Sequence, residues 1–150
     1  MIAVVQRVKA ASVVADGLAA GKCGRGLLVL CGVLAGDTEE DADLLAAKIA
    51  KLRIFTDEND KMNLSVTDIG GSVLAVSNFT LGADIKKGNR PSFTGAAAPQ
   101  TAAPLYTRFC EVLRDCGVPT ETGVFGADMQ ISIEADGPVT IVMNTEIWKK

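Results

Sequence analysis

Apolar and polar positions change period several times along this chain, and each change marks an element. Residues 2–9 alternate Ile2, Val4, Gln6 and Val8 against Ala3, Val5, Arg7 and Lys9, and Ala11–Ala15 continues extended to an Asp16-Gly17 hairpin signal. A glycine-rich break at Lys22–Gly26 precedes Leu27–Leu34, whose unbroken apolar run predicts a central strand. The period then becomes helical. Thr38 and Asp41 form a capping box, Glu39, Glu40, Asp41 and Asp43 favour the N-terminal end, and Ala42, Leu45, Ile49 and Leu52 make one apolar stripe. Thr56–Lys61 is a polar turn that lacks the glycine and terminal glutamate of a calcium loop.

The stretch that organises the rest is Val73–Leu81, a buried strand that turns polar at Ser77 and Asn78 where it emerges at a surface. A second helix follows, capped by Thr101 with Pro104 at its third position; Leu105, Phe109, Val112, Leu113 and Cys116 line its buried side and Gly117 stops it. Val118–Phe125 reads as a strand. Met129, Ile131 and Ile133 alternate with Asp128, Gln130, Ser132 and Glu134, and an Asp136-Gly137 turn returns Val139–Met143 as the partner strand of a hairpin. This order predicts an α+β fold with antiparallel sheets and two main helices, with residues 1–150 as one domain.

Composition narrows the chemistry. A chain of 150 residues buries roughly two thirds of its unfolded surface without needing a metal or disulfide. Cys23, Cys31, Cys110 and Cys116 match no zinc spacing and the chain contains no histidine, so the expectation is four reduced structural thiols, no metal and no cofactor. No apolar run approaches the ~20 residues of a membrane span and no signal peptide is visible, so a soluble cytoplasmic protein without a membrane partner is expected. The net charge of −3 makes DNA no expected partner, while Lys86, Lys87 and Arg90 form a local basic patch suited either to solvent or to phosphate.

The absence of histidine removes any Ser-His-Asp or Cys-His nucleophilic site within the chain. Ser77 and Thr80 supply hydroxyls at the strand end, either as hydrogen-bonding caps or as site groups, with no Lys or Glu in 77–81 to activate them. Main-chain N–H groups of Phe79 and Thr80, where unpaired, can hold an oxyanion without any titratable side chain. Gly137-Pro138 is either an ordinary turn or a cis bond that aims two successive carbonyls at an ammonium group. The expectation is that it meets Ser77–Leu81 across a subunit boundary.

At these residues the chain resembles the D-aminoacyl-tRNA deacylases. The resemblance runs through Ala3-Val-Val-Gln-Arg-Val, Gly36-Asp-Thr-Glu-Glu-Asp-Ala-Asp, Arg90-Pro-Ser-Phe, Ala127-Asp-Met-Gln and Gly137-Pro-Val-Thr. The family's Ser-Gln-Phe-Thr-Leu signature stands here as Ser77-Asn78-Phe79-Thr80-Leu81, and Gly82 replaces a usually larger residue, which would loosen the pocket rim. The resemblance implies a homodimer of three-layer β/β/α subunits that removes D-amino acids from tRNA. It assigns the Phe79 and Thr80 amides to the oxyanion, Ser77 and Asn78 to positioning, and the partner's cis Gly137-Pro138 carbonyls to excluding L substrates while admitting glycine. It further implies water as nucleophile, assisted by the 2′-hydroxyl of the terminal adenosine. Phe125 and Met129 are pocket-wall or core residues, and Lys86, Lys87 and Arg90 contact tRNA phosphates. Competing readings are an editor of glycine or L-alanine misattached to tRNA and a noncatalytic RNA-binding dimer.

Overall fold

The computed structural model describes residues 1–149. Its scaffold is β1 (Ile2–Ala15), a long strand that carries three antiparallel neighbours: β2 (Leu18–Cys23), β3 (Gly26–Gly32) and β8 (Met129–Asn144). β2 and β3 share one side of β1, the first along its C-terminal half and the second along its N-terminal half. Beyond β3 the sheet continues through β6 (Ser72–Ser77) and β7 (Thr120–Thr122), both in parallel pairings. The sheet is thus mixed, because each parallel step is bridged by a helix that returns the chain to the same edge. α1 (Glu39–Lys51) lies between β3 and β6, and α2 (Pro99–Asp115) between β6 and β7. A small hairpin, β4 (Phe55–Thr56) with β5 (Met62–Leu64), flanks the polar turn.

The two faces of β3 and β6 explain their continuous apolar runs. Leu27, Val29 and Cys31 of β3 join Val73 and Ala75 of β6 beneath Leu45, Ile49, Phe109 and Leu113 of the helices. Their alternates Leu28, Leu74 and Val76 enter a second core with Val8, Ala11, Val13 and Cys23 on the opposite face. The sheet curls far enough around this second core for the Lys22 N–H on β2 to donate to Glu121 Oε1 on β7 at 3.2 Å. Helices, sheet and curled inner face make the α+β layering expected from the sequence.

β1 serves both cores, so its alternation slips midway. Ala3 and Val5 point to the first core and Val8, Ala11 and Val13 to the second, with the pairing to β8 shifting around Val8. The matching irregularity on β8 corrects the expected hairpin. Met129–Glu134 and Val139–Met143 do not pair with one another; both pair with β1, whose 14 residues are long enough to template them end to end. Val8 faces Ala135 and Gln6 faces Thr140, so residues 136–139 bulge out of the ladder. Pro138 has no N–H to give a ladder, and Gly137 sits at φ +148, where an added Cβ would lie 2.4 Å from the Val139 nitrogen. The Gly137-Pro138 peptide bond is cis.

α1 starts as its sequence predicts: the Thr38 N–H donates to Asp41 Oδ2 at 2.8 Å, and Ala42, Leu45 and Ile49 are buried with Leu52 packed at the edge. α2 differs from expectation at its start. Pro99, not Thr101, opens it, with Ala98 as the N-cap, because a proline at the first helical position has φ preset and no N–H to satisfy. Ala98 already accepts from the N–H groups of Thr101 and Ala102, both at 2.9 Å. Pro104 therefore lies inside the helix; the Gln100 carbonyl it leaves without an N–H donor belongs to an exposed residue. Cys116 is exposed rather than on the buried side, and Gly117, at φ +86, ends the helix as expected. β7 is shorter than Val118–Phe125, since Val124 and Phe125 leave the sheet.

Candidate active site

A cavity of about 860 Å³ opens where β6 ends, and its lining is mostly apolar. The strand delivers Ser77, level with Cys31 on β3, and the Asn78 N–H then donates to the Cys31 carbonyl at 2.8 Å, tying the first residue past the strand to the sheet. Phe79–Gly82 follows as a single 3-10 turn. Ser77, Asn78, Phe79 and Thr80 form one wall, and Phe125 and Met129 another. Six of the residues singled out by sequence thus come together.

Gly137, Pro138, Lys86, Lys87 and Arg90 do not line this cavity. Gly137 and Pro138 occupy the β8 bulge. Lys86, Lys87 and Arg90 are exposed on the loop that closes between Asp84 and Ser92, whose main chains bond in both directions at 2.7 and 2.9 Å. Their charged groups form no ion pair among the described residues.

The main-chain donors at the strand end are not equivalent. Asn78 caps the 3-10 turn, and its Oδ1 accepts from the Thr80 N–H at 3.2 Å and from the Thr80 hydroxyl. The Phe79 N–H has no partner among the described residues. Gly82 also departs from expectation. A Cβ there would lie 3.2 Å from Ala96 Cβ and 3.2 Å from Leu34 Cδ2, so the missing side chain leaves no gap in the rim; Ala96 has closed onto it.

Aromatic rings fix the rest of the cavity. Phe79 is 61% exposed and meets Phe93 edge-on at 5.1 Å between centroids, leaving most of its ring for a ligand to cover. On the other side Phe125 leans on Tyr106 at 6.1 Å. Tyr106 donates its hydroxyl to the Ala75 carbonyl at 2.7 Å, and burial pushes its acidity far down. Cys31, on the cavity floor, is held protonated by complete burial, and burial pushes the Cys110 thiol up to about 11. Neither thiol is a usable nucleophile at neutral pH. Tyr106 and Phe93 were not singled out as site residues; the signals were present as an aromatic at helical spacing from Ala102 and Phe109 and as the end of the Arg90-Pro-Ser-Phe motif.

Among the described residues no group of three or more His, Cys, Asp or Glu side chains is placed to hold a metal. No helix among them is long and apolar enough to cross a membrane. The site is therefore a wide apolar cleft whose polar edge is a strand terminus with one unpaired main-chain N–H and three small polar side chains, while the wall carrying Phe125 and Met129 also brings the Asp128 carboxylate to the lining.

Comparison with known proteins identifies the family of a chain with such a cleft. The model of the D-Tyr-tRNA(Tyr) deacylase family matches residues 4–144. A D-aminoacyl-tRNA deacylase of Paracoccus denitrificans is 57% identical over 145 residues, which span 97% of each chain. A solved structure titled c-Myc DNA Unwinding Element Binding Protein superposes with a TM-score of 0.89 at 41% identity, over 96% of this chain and 98% of that one. The fold also recurs, at TM-score 0.81 and 21% identity over 95% of this chain and 97% of the other, in a structure described as a probable eukaryotic D-amino acid tRNA deacylase. The chain belongs to the D-Tyr-tRNA(Tyr) deacylase family.

Proposed function

We propose that this protein hydrolyses the ester linking a D-amino acid to the 3′-terminal adenosine of tRNA, a proofreading step of translation in the cytoplasm. The observation that carries the reading is the free Phe79 N–H at an apolar cleft that holds no histidine or activated nucleophile and whose one lining carboxylate, Asp128, belongs to the wall that carries Phe125 and Met129. Full-length similarity to relatives named for this activity supports it.

Water attacks the ester carbonyl carbon, and the oxygen that becomes negative accepts from the Phe79 N–H, a donor type worth about 3 kcal/mol in such transition states. The bond to the ribose oxygen then breaks and that oxygen takes a proton, with the neighbouring 2′-hydroxyl assisting. Thr80 is not assigned the nucleophile's role. Its hydroxyl proton is directed at Asn78 Oδ1, an amide oxygen that is no base.

Chiral selection is assigned to the carbonyls of Gly137 and Pro138 in the partner of a homodimer, where they hold the α-ammonium and leave no room for an L side chain. Their position in a bulge clear of the β8 ladder, outside the cavity of their own chain, supports a role across a subunit boundary. Selection by exclusion accepts many D side chains and also glycine. Lys86, Lys87 and Arg90 contact tRNA phosphates; their exposure without ion-pair partners supports this. Gly82 opens no extra room, so an editor of L-alanine has no support in the rim.

The test is deacylation of D-Tyr-, L-Tyr- and Gly-tRNA by the same preparation. Hydrolysis of the D and glycyl esters with the L ester at its spontaneous rate is expected. Equal rates on both enantiomers would end the proposal, and binding of charged tRNA without ester loss would leave a noncatalytic RNA-binding protein.

A further inference from the structure

The loop between the 3-10 turn and Phe93 is anchored at the rim of the cleft. Asp84 and Ser92 close it with main-chain bonds in both directions, and the Asp84 carboxylate is used within it, Oδ1 accepting from the Lys86 N–H at 2.9 Å. Both stems run into cavity walls. The Ala83 N–H donates to the Thr80 carbonyl at 3.1 Å on one side, and on the other Phe93, which lines the cavity, accepts from the Ala96 N–H at 3.1 Å. The stems also approach each other closely, since a Cβ at Gly95 would lie 3.4 Å from the Gly82 carbonyl oxygen. The loop is a short arm held at its base.

This arm turns cations and one large apolar side chain to solvent. Lys86, Lys87 and Arg90 are exposed and in no ion pair among the described residues, and Ile85 is 70% exposed. With a net charge of −3 on the chain, attraction for phosphate has to be local. Cations beside an exposed apolar group suit a single strand, whose phosphates pair with Lys and Arg while its unstacked bases offer their faces; a paired stem hides those faces. Reach agrees with this. The loop extends at most about 14 Å from its base, the span of about four extended residues, which covers the nucleotides just before an adenosine seated in the cleft.

We propose that the loop grips the single-stranded C-C-A end of tRNA, with Lys86, Lys87 and Arg90 on the phosphates immediately 5′ of the terminal adenosine and Ile85 against the face of a neighbouring base. The proposal rests on the deacylase reading of the cleft and assigns the basic loop to the unpaired end, not to the paired acceptor stem.

The experiment compares kcat/KM on the D-Tyr esters of adenosine, of the C-C-A trinucleotide and of full tRNA. The parent is expected to prefer the trinucleotide ester over the nucleoside ester by about tenfold or more. Replacing Lys86, Lys87 and Arg90 together by Ala should cut that preference to about twofold while the ratio of full tRNA to trinucleotide stays as in the parent. Ile85→Ser should lower the same preference about threefold, and Ile85→Leu should restore it. Binding of an uncharged, fluorescently labelled C-C-A trinucleotide gives a reading without catalysis. Its log affinity should fall against log salt with a slope of about −2 for three phosphates on a single strand, and the slope should flatten in the triple variant.

A parent without preference for the trinucleotide ester, a triple variant that keeps the preference, or one in which the advantage of full tRNA over the trinucleotide falls would overturn the proposal. A parent that hydrolyses none of the esters would instead overturn the deacylase reading. The labelled trinucleotide still decides the role of the loop: binding lost in the triple variant supports it, and no binding by the parent overturns it.

Discussion

Arg7 on β1 and Asp136 on β8 stand opposite each other where the ladder breaks, and the guanidinium fills the break. Arg7 Nε donates to the Asp136 carbonyl at 3.0 Å and lies 3.4 Å from its carboxylate, while Nη1 donates to the Ile54 carbonyl at 2.8 Å. The bulge that carries Gly137 and Pro138 is thus held from the strand it left, by a side chain that is itself largely buried. Arg7→Lys has one charged nitrogen for two directions and is expected to leave at least one carbonyl unpaired, at about 2 kcal/mol. Faster amide exchange at 139–140 and a smaller D-over-L ratio in deacylation are the expected readouts, with a global unfolding midpoint separating local from general loss.

The basic loop gives an electrostatic prediction. Replacing Lys86, Lys87 and Arg90 by Ala should raise KM for charged tRNA with little change in kcat, since these residues are outside the cavity. Each phosphate-binding cation removed should lower the slope of log affinity against log salt by about one. Binding titrations at three or more salt concentrations measure this.

Thiol reactivity follows from burial. Cys116 is exposed while Cys23, Cys31 and Cys110 are buried, and burial raises the pKa of all three thiols. One fast thiol per chain is expected with a disulfide reagent at pH 8, lost in Cys116→Ser. Guanidinium denaturation should release the remaining three.

The two helices are joined by a bidentate pair, Arg108 Nε and Nη2 to the Asp43 carboxylate at 2.6 and 2.9 Å. Hydrogen bonding to Arg108 holds the Asp43 carboxyl below its ordinary 3.8. A carboxylate depressed in the folded state stabilises the fold above its unfolded value, so this contribution is present at neutral pH and lost as pH falls below about 4. Both side chains are near half exposed, so the effect is small. Urea midpoints should show Asp43→Asn less stable than the parent at pH 7, with the difference shrinking as pH falls below about 4.

What could be read in the sequence was whatever depends on local pattern. α1 carries its own capping box and stripe, and Val73–Leu81 shows its buried strand and polar end directly. What could not be read depends on distant partners. The Asp136-Gly137 pair signals a hairpin until β1 is known to be long enough to hold both flanking runs. Thr101 is a good cap, but Pro99 had already started the helix. The Asn78-to-Thr80 bond is a local Asx turn, but a polar residue at a strand end fits a free donor as well as a capped one until the backbone is seen. Helical spacing places Tyr106 on the buried side of α2, but its contact with Phe125 at 6.1 Å depends on where the segment after β7 goes, which that spacing does not give.

In the proposed reaction, peptide groups and solvent, not a side-chain nucleophile, carry the ester cleavage. This is tested most directly by the single-turnover rate of Thr80→Val on D-Tyr-tRNA, set beside the spontaneous rate. Retention of hydrolysis within about one order of magnitude of the parent, as expected when one hydrogen bond is lost, is the predicted result. A fall to the spontaneous rate, in a variant that still binds charged tRNA, would contradict it.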